Sequence, residues 1–153
     1  MGSLVAAVAS YCDIKQRGGR WQVRIDDLDP PRTAPNACES ILQTLNAHGL
    51  QSDLPIEYQS QHKGAYSRAL KKLAARCFFC TCTRKQLAGF SVYPGTCRTN
   101  LAPSENASTR ILVGANKISF HDLVLGNQDH DLAKEFGDFT IQRKDGLTSY
   151  NLA

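Results

Sequence analysis

Gly18-Gly19-Arg20-Trp21-Gln22-Val23-Arg24-Ile25-Asp26-Asp27-Leu28-Asp29-Pro30-Pro31-Arg32 joins a glycine pair, an alternating segment and an acidic loop closed by two prolines. Residues 21–25 alternate in polarity and are rich in strand formers, which predicts a short strand with Val23 and Ile25 on one face. The strand runs directly into Asp26, Asp27 and Asp29, and the double proline after them removes two amide donors and holds the preceding backbone extended. Three carboxylates therefore sit in a stiff loop at the C-terminal end of a strand, the place where α/β folds bind ligands. Asp26 or Asp27 could meet an amine or hydroxyl of a substrate there. The alternative is that these aspartates only cap the loop and the next helix.

Working outward, residues 3–17 carry Leu4, Val5, Val8, Tyr11 and Cys12 at helical spacing, with Ser3 as N-cap and Gly18-Gly19 as the stop. Residues 36–48 predict a second helix that buries Cys38, Ile41, Leu42 and Leu45 and ends at Gly49. After an extended piece at 56–58, residues 63–76 predict a third, with Tyr66, Ala69, Leu70 and Leu73 inward. Its cations, Lys63, Arg68, Lys71, Lys72 and Arg76, lie mostly outside that stripe. Alternation of helix and strand is the rhythm of a layered α/β domain. From Cys77 the character changes to short apolar runs at 110–113, 118–120 and 139–143, which predict a small β-rich insertion returning to the main sheet near 148–153.

Bulk composition narrows the class. The chain has 153 residues, 42% of them hydrophobic and 21% charged, enough for one domain with an apolar core. No run of about 18 apolar residues occurs, so no membrane span is predicted, and the N-terminus lacks the basic region of a signal peptide. A net charge of +4 is compatible with a nucleic-acid partner without requiring one.

Of six cysteines, four fall at 77, 80, 82 and 97, and clustered thiols without a secretory signal favour metal over disulfides. Cys12 and Cys38 read instead as small buried hydrophobes on helix faces. Cys80, Cys82 and Cys97 plus one further donor suit tetrahedral zinc, and Pro94-Gly95 supplies a turn that brings Cys97 back. Spacing leaves the fourth donor open between Cys77 and Tyr93, with an all-cysteine set the more ordinary chemistry. A set of buried free thiols is the alternative. Gly2-Ser3 at a helix start could bind phosphate, although every helix has such an end.

Together these motifs resemble class I aminoacyl-tRNA synthetases. Gly2-Ser3-Leu4-Val5-Ala6-Ala7 is similar to the tail of their first signature, and residues 18–32 resemble the corresponding stretch of glutamyl-queuosine tRNA(Asp) synthetases. Tyr58-Gln59-Ser60-Gln61, Cys80-Thr81-Cys82-Thr83-Arg84, Tyr93-Pro94-Gly95-Thr96-Cys97-Arg98 and residues 143–153 fit the same family in order. Ordinary glutamyl-tRNA synthetases are the nearest competitor. The double proline and the compact 93–97 segment favour the queuosine family.

The resemblance implies an α/β fold: part of a Rossmann-like nucleotide-binding domain over 1–76, a zinc-bearing, β-rich insertion over 77–137, and a return to the catalytic sheet over 138–153. It implies zinc on Cys80, Cys82, Tyr93 and Cys97, which moves the fourth ligand from Cys77 to Tyr93. It implies ATP-dependent activation of glutamate and transfer to queuosine of tRNA(Asp) by a cytoplasmic, monomeric ligase. Asp26 would hold the substrate ammonium, Tyr150 would line the glutamate pocket, and Gly2 and Ser3 would be what remains of the ATP signature.

There are also departures from the family. Its members begin earlier, with an arginine and serine for glutamate and a histidine for ATP, and continue past residue 153 to the lysine loop that clamps ATP. No catalytic residue is therefore assignable, and impaired activity is expected of this chain. Asp26 stands where the family has glutamate, which shortens the reach by roughly 1.5 Å. Two alternatives remain: a glutamyl-tRNA synthetase fragment, or an inactive, zinc-stabilised tRNA-binding remnant.

Overall fold

The structure is a computed structural model that describes residues 2–29 and 34–153. It divides into two compact units, Met1–Lys63 and Gly64–Ala153, each described by itself. The double proline expected to stiffen the acidic loop lies outside the described residues.

In the first unit, α1 (Gly2–Gln16) starts one residue before the expected cap, so Ser3 sits in its first turn. It ends where the glycine pair predicts: Gly19 N donates to Ile14 O at 2.9 Å and Gly18 N to Lys15 O at 3.1 Å. The inward face differs from the expected one. Leu4, Ala7, Tyr11 and Ile14 are half-buried, while Val5 and Val8 are exposed, and so is Cys12, expected to be a buried hydrophobe. Trp21 selects this face, because its ring meets Tyr11 edge-on at 5.3 Å and its Nε1 donates to Ser10 Oγ at 3.1 Å. Asp53 closes the corner: it pairs with Lys15, and its Oδ2 accepts from Trp21 N at 2.6 Å.

The expected strand contracts to β1 (Arg24–Ile25), parallel to β2 (Glu57–Tyr58) with Arg24 opposite Glu57. Alternation holds, with Val23 and Ile25 buried and Gln22 and Arg24 exposed. Between the strands runs α2 (Ala37–Ala47), so the unit is a strand–helix–strand crossover, the parallel arrangement expected of an α/β chain. Cys38, Leu42 and Leu45 are half-buried, but Ile41, at the margin of the stripe, is half exposed at 50%. The helix is closed by Gly49 N to Asn46 O and Leu50 N to Leu45 O, both 2.9 Å, with Leu50 buried behind the turn.

All but the first residue of α3 (Lys63–Leu73) belongs to the second unit, and a 3₁₀ turn, Ala74–Arg76, follows it. Tyr66, Ala69, Leu70 and Leu73 are its half-buried residues and its five cations are exposed, as the spacing requires. β3 (Cys77–Cys80), β4 (Ser108–Ile111) and β7 (Thr140–Gln142) form an antiparallel sheet in the order β3-β4-β7. Phe78 and Ile141 are its most buried large side chains.

β5 (Lys117–Asp122) and β6 (Gly126–Asp131) make a separate hairpin, closed by Asp122 Oδ1 accepting from Val124 N and Leu125 N at 2.8 Å each. The three apolar runs of this region fall on β4, β5 and β7. β6, Gly-Asn-Gln-Asp-His-Asp, carries no strand signal of its own and is a strand because the Asp122 turn feeds it back along β5. Residues 148–153 form no strand; Thr148 makes one bridge to Gln142, and Ser149 N donates to Ile141 O at 3.0 Å.

Gly49 sits at φ +72° with no atom within 4 Å of the place a methyl would take, so its backbone angle alone resists a side chain. Gly49→Ala is expected to cost about 1–2 kcal/mol, read from the urea midpoint with an unchanged slope.

Candidate metal centre

Cys80 ends β3 and is buried, and Cys82 follows two residues later, outside any helix or strand. Immediately after it, Thr83 and Gln86 form a reciprocal cap that starts α4 (Arg84–Leu87) and fixes the exit of the chain from the cysteine pair. Residues 93–97 return through the Pro94-Gly95 turn, in which Arg98 N donates to Gly95 O at 3.1 Å. Cys97 N donates to Tyr93 Oη at 2.9 Å, so the tyrosine oxygen is held against the same turn.

Three sulfurs converge. Those of Cys80, Cys82 and Cys97 all lie within 4.8 Å of one another, with Cys82 and Cys97 at 3.5 Å. Tyr93 Oη is 4.0 Å from Cys82 Sγ. Thiolates on a tetrahedral zinc, with bonds of about 2.3 Å, stand roughly 3.8 Å apart, so the donor spacing fits that ion.

Cys77 is not with them. Three positions from Cys80 on one strand, it points to the opposite face. Its Sγ donates to Leu73 O at 3.1 Å, and burial pushes its thiol up. Between the two contenders for a fourth donor, the atom beside the cluster is the tyrosine oxygen.

Burial and hydrogen bonds set the state of the cluster. The Tyr93 hydroxyl lowers the Cys97 thiol to about 7, against the opposing effect of burial. Burial raises both the Cys82 thiol and the Tyr93 hydroxyl; the Cys97 sulfur adds to the first and the Cys80 sulfur to the second. One sulfur can ionise near neutrality, but three can do so together only around a cation. The same residues are also the packing centre of this unit: Phe78, Cys80, Tyr93 and Cys97 form one buried cluster, flanked by Cys82, Leu87 and Leu112.

A carboxylate that the motif reading did not single out braces the centre. Asp138 is fully buried; its Oδ2 pairs with Arg98 Nε at 2.6 Å and its Oδ1 accepts from Val113 N at 2.9 Å. Its carbonyl accepts from Arg110 Nη1 at 2.8 Å, and the Arg110 guanidinium lies 4.2 Å from the Tyr93 ring centroid. Beside it, Gly137 lies so close to Val92 that a Cβ there would fall 2.2 Å from Val92 Cγ1. Neither residue had a signal in the sequence beyond Arg98 standing next to a candidate ligand.

The other expected site residues are dispersed. Asp26 is exposed in the first unit and pairs with Arg24 at 2.9 Å. Asp27, half-buried, accepts from Ser60 N at 2.8 Å and from its hydroxyl. Burial pushes the Asp27 carboxyl up, but these bonds outweigh it and hold the group below the usual carboxylate range. Of the two aspartates, Asp27 therefore has the structural role of tying the loop to the turn after β2. Tyr150 is 53% exposed in the second unit, and Gly2 and Ser3 are exposed in the first turn of α1.

Comparison with known proteins gives this geometry its context. The model of the catalytic domain of class I tRNA synthetases (E and Q) matches residues 1–91, and the chain belongs to that family. The glutamyl-Q tRNA(Asp) synthetase of Pseudomonas aeruginosa is 47% identical over 155 residues, covering 99% of this chain and 53% of the relative. That of Chromobacterium violaceum is 41% identical over 162 residues, with 99% and 54% covered. The chain thus spans about half the length of the curated relatives it matches.

Among solved structures, a glutamate tRNA ligase from Elizabethkingia meningosepticum in complex with its amino acid matches at TM-score 0.74 and 19% identity, covering 95% of this chain and 36% of that one. The glutamate-tRNA synthetase of Elizabethkingia anophelis matches at 0.75 and 19%, covering 95% and 37%. The fold is that of the class I glutamyl-tRNA synthetases, with mixed helices and sheets. Among the described residues, no helix is long and apolar enough to cross a membrane.

Asp138→Asn keeps the shape but removes the charge that Arg98 meets. It is expected to destabilise the chain by about 2 kcal/mol in urea unfolding. Arg98→Ala is expected to cost at least as much, because it leaves the buried Asp138 carboxylate without its counter-charge.

Proposed function

We propose that this chain is part of a glutamyl-Q tRNA(Asp) synthetase, a ligase that activates glutamate with ATP and passes it to queuosine of tRNA(Asp). The observation that carries the reading is 47% identity across 99% of the chain to a relative bearing that name. Residues 1–76 are the first part of a Rossmann-like catalytic domain, 77–137 a zinc-bearing, β-rich insertion, and 138–153 the return toward the catalytic sheet. The protein works in the cytoplasm as a monomer.

Cys80, Cys82, Tyr93 and Cys97 would hold one zinc ion, whose bonds cross-link the end of β3 to the 93–97 turn. The spacing of the three sulfurs and the nearby tyrosine oxygen support this donor set. Asp26, released from Arg24, would meet the glutamate ammonium, and Tyr150 would line the amino-acid pocket. Gly2 and Ser3 would contribute free amides to ATP at the start of α1. Positioning and charge stabilisation carry both the activation and the transfer.

The likeness to glutamate tRNA ligases favours one alternative, aminoacylation of tRNA(Glu). Competition binding separates the two. Queuosine-bearing tRNA(Asp) is expected to bind more tightly than the same tRNA carrying guanine, and more tightly than tRNA(Glu). Preference for tRNA(Glu) would overturn the reading. For the metal, emission spectrometry is expected to find one zinc per chain, retained in Cys77→Ala and lost in Cys82→Ser. Loss from Cys77→Ala with retention in Tyr93→Phe would reverse the ligand assignment.

A further inference from the structure

Beside the thiol cluster a cavity of about 430 Å³ opens in the second unit, a size within the range of ligand clefts. Its wall brings together Arg84, Arg110, Arg143 and Lys144 with a single carboxylate, Asp145. Four cations less one anion leave three positive charges around one cavity, in a chain whose net charge is +4. They arrive from three places: Arg84 opens α4, Arg110 is on β4, and Arg143 and Lys144 follow β7.

Little in the wall neutralises them. Asp145 is engaged by Arg143 at 2.6 Å. Lys144 Nζ donates to a carbonyl, Thr81 O, at 2.8 Å, and Arg110 likewise donates to the Asp138 carbonyl. Arg110 Nε is buried and makes no hydrogen bond. Among the described residues Arg84 forms no ion pair, and Thr140 also lines the wall. Guanidinium forks around an ammonium match the oxygens of a tetrahedral anion better than those of a single carboxylate.

We propose that this cavity is a phosphate seat that takes a backbone phosphate of the bound RNA, an inference that rests on the tRNA reading above. The seat reads charge and not sequence, so it positions the RNA beside the thiol cluster without selecting among bases. It is distinct from the exposed cations of α3, which face solvent from one helix and enclose no cavity.

The test uses the 153-residue chain and fluorescently labelled tRNA(Asp), titrated between about 50 and 200 mM salt. Arg84→Gln with Lys144→Gln is expected to weaken binding about tenfold and to lower the slope of log K against log salt by about 1. Lys71→Gln with Lys72→Gln removes the same charge from α3 and should change affinity less than about threefold. Metal content measured alongside must match wild type; if it falls, Arg84→Gln alone, which breaks no hydrogen bond to the 81–82 segment, becomes the deciding variant.

Equal effects of the two pairs, or no effect of the cavity pair, would overturn the seat. Inorganic phosphate binding that the cavity pair abolishes, with RNA affinity unchanged, would overturn the RNA assignment in favour of free phosphate. Absence of RNA binding by wild type would overturn this inference and the functional reading together. Loss of queuosine preference with the cavity effect intact would overturn only the functional reading.

Discussion

The Asp138 side chain is fully buried, yet its carboxylate and carbonyl meet two separate segments of the second unit: Arg98 in the turn after Tyr93, and the β4 stretch at Arg110 and Val113. A buried carboxylate is stable only when its oxygens are satisfied, and here both are. That requirement fixes where the 93–98 turn lies against the sheet. It also sets Arg110, whose guanidinium faces the Tyr93 ring and whose position forms part of the cavity wall. The placement of Cys97, of the tyrosine oxygen and of the cationic cavity therefore depends on one side chain.

The second unit has few wholly buried large side chains, and its buried cluster is made mostly of the candidate metal donors. A small unit cannot bury enough apolar surface to offset the ordering of long loops such as the one between α4 and β4. A proposed zinc in that cluster would add bonds where packing is thin, so metal affinity and folding of this unit would be one equilibrium. The sulfurs are preset for it: Cys80 by its strand, Cys82 by the Thr83–Gln86 cap, and Cys97 by the Tyr93 hydroxyl. The Cys97 thiol lies near neutrality, whereas burial pushes that of Cys82 up.

Helix ends and strand faces were legible because they depend on neighbours in sequence. Gly18-Gly19 and Gly49 stop their helices by local hydrogen bonds, and the alternation of residues 22–25 decides which side chains turn inward. The face of α1 was not legible, since two stripes overlap on it and Trp21 chooses Leu4, Ala7, Tyr11 and Ile14 over Val5, Val8 and Cys12. β6 was missed for a related reason: its residues are poor strand formers, and pairing with β5 overrides their preference.

Family membership is written in motifs spread along the chain, and residue type and spacing mark Cys80, Cys82 and Cys97 as candidate metal donors. Which other atoms come near those sulfurs depends on the fold. The two-residue period of β3 turns Cys77 away from Cys80, and the Tyr93 oxygen lies beside Cys82 through a turn that Asp138 holds from forty residues further along the chain. Burial of that carboxylate, and the gathering of cations from α4, β4 and the end of β7, are facts of three-dimensional proximity. No local pattern encodes them, since each partner is an ordinary Asp, Arg or Lys until the chain has folded.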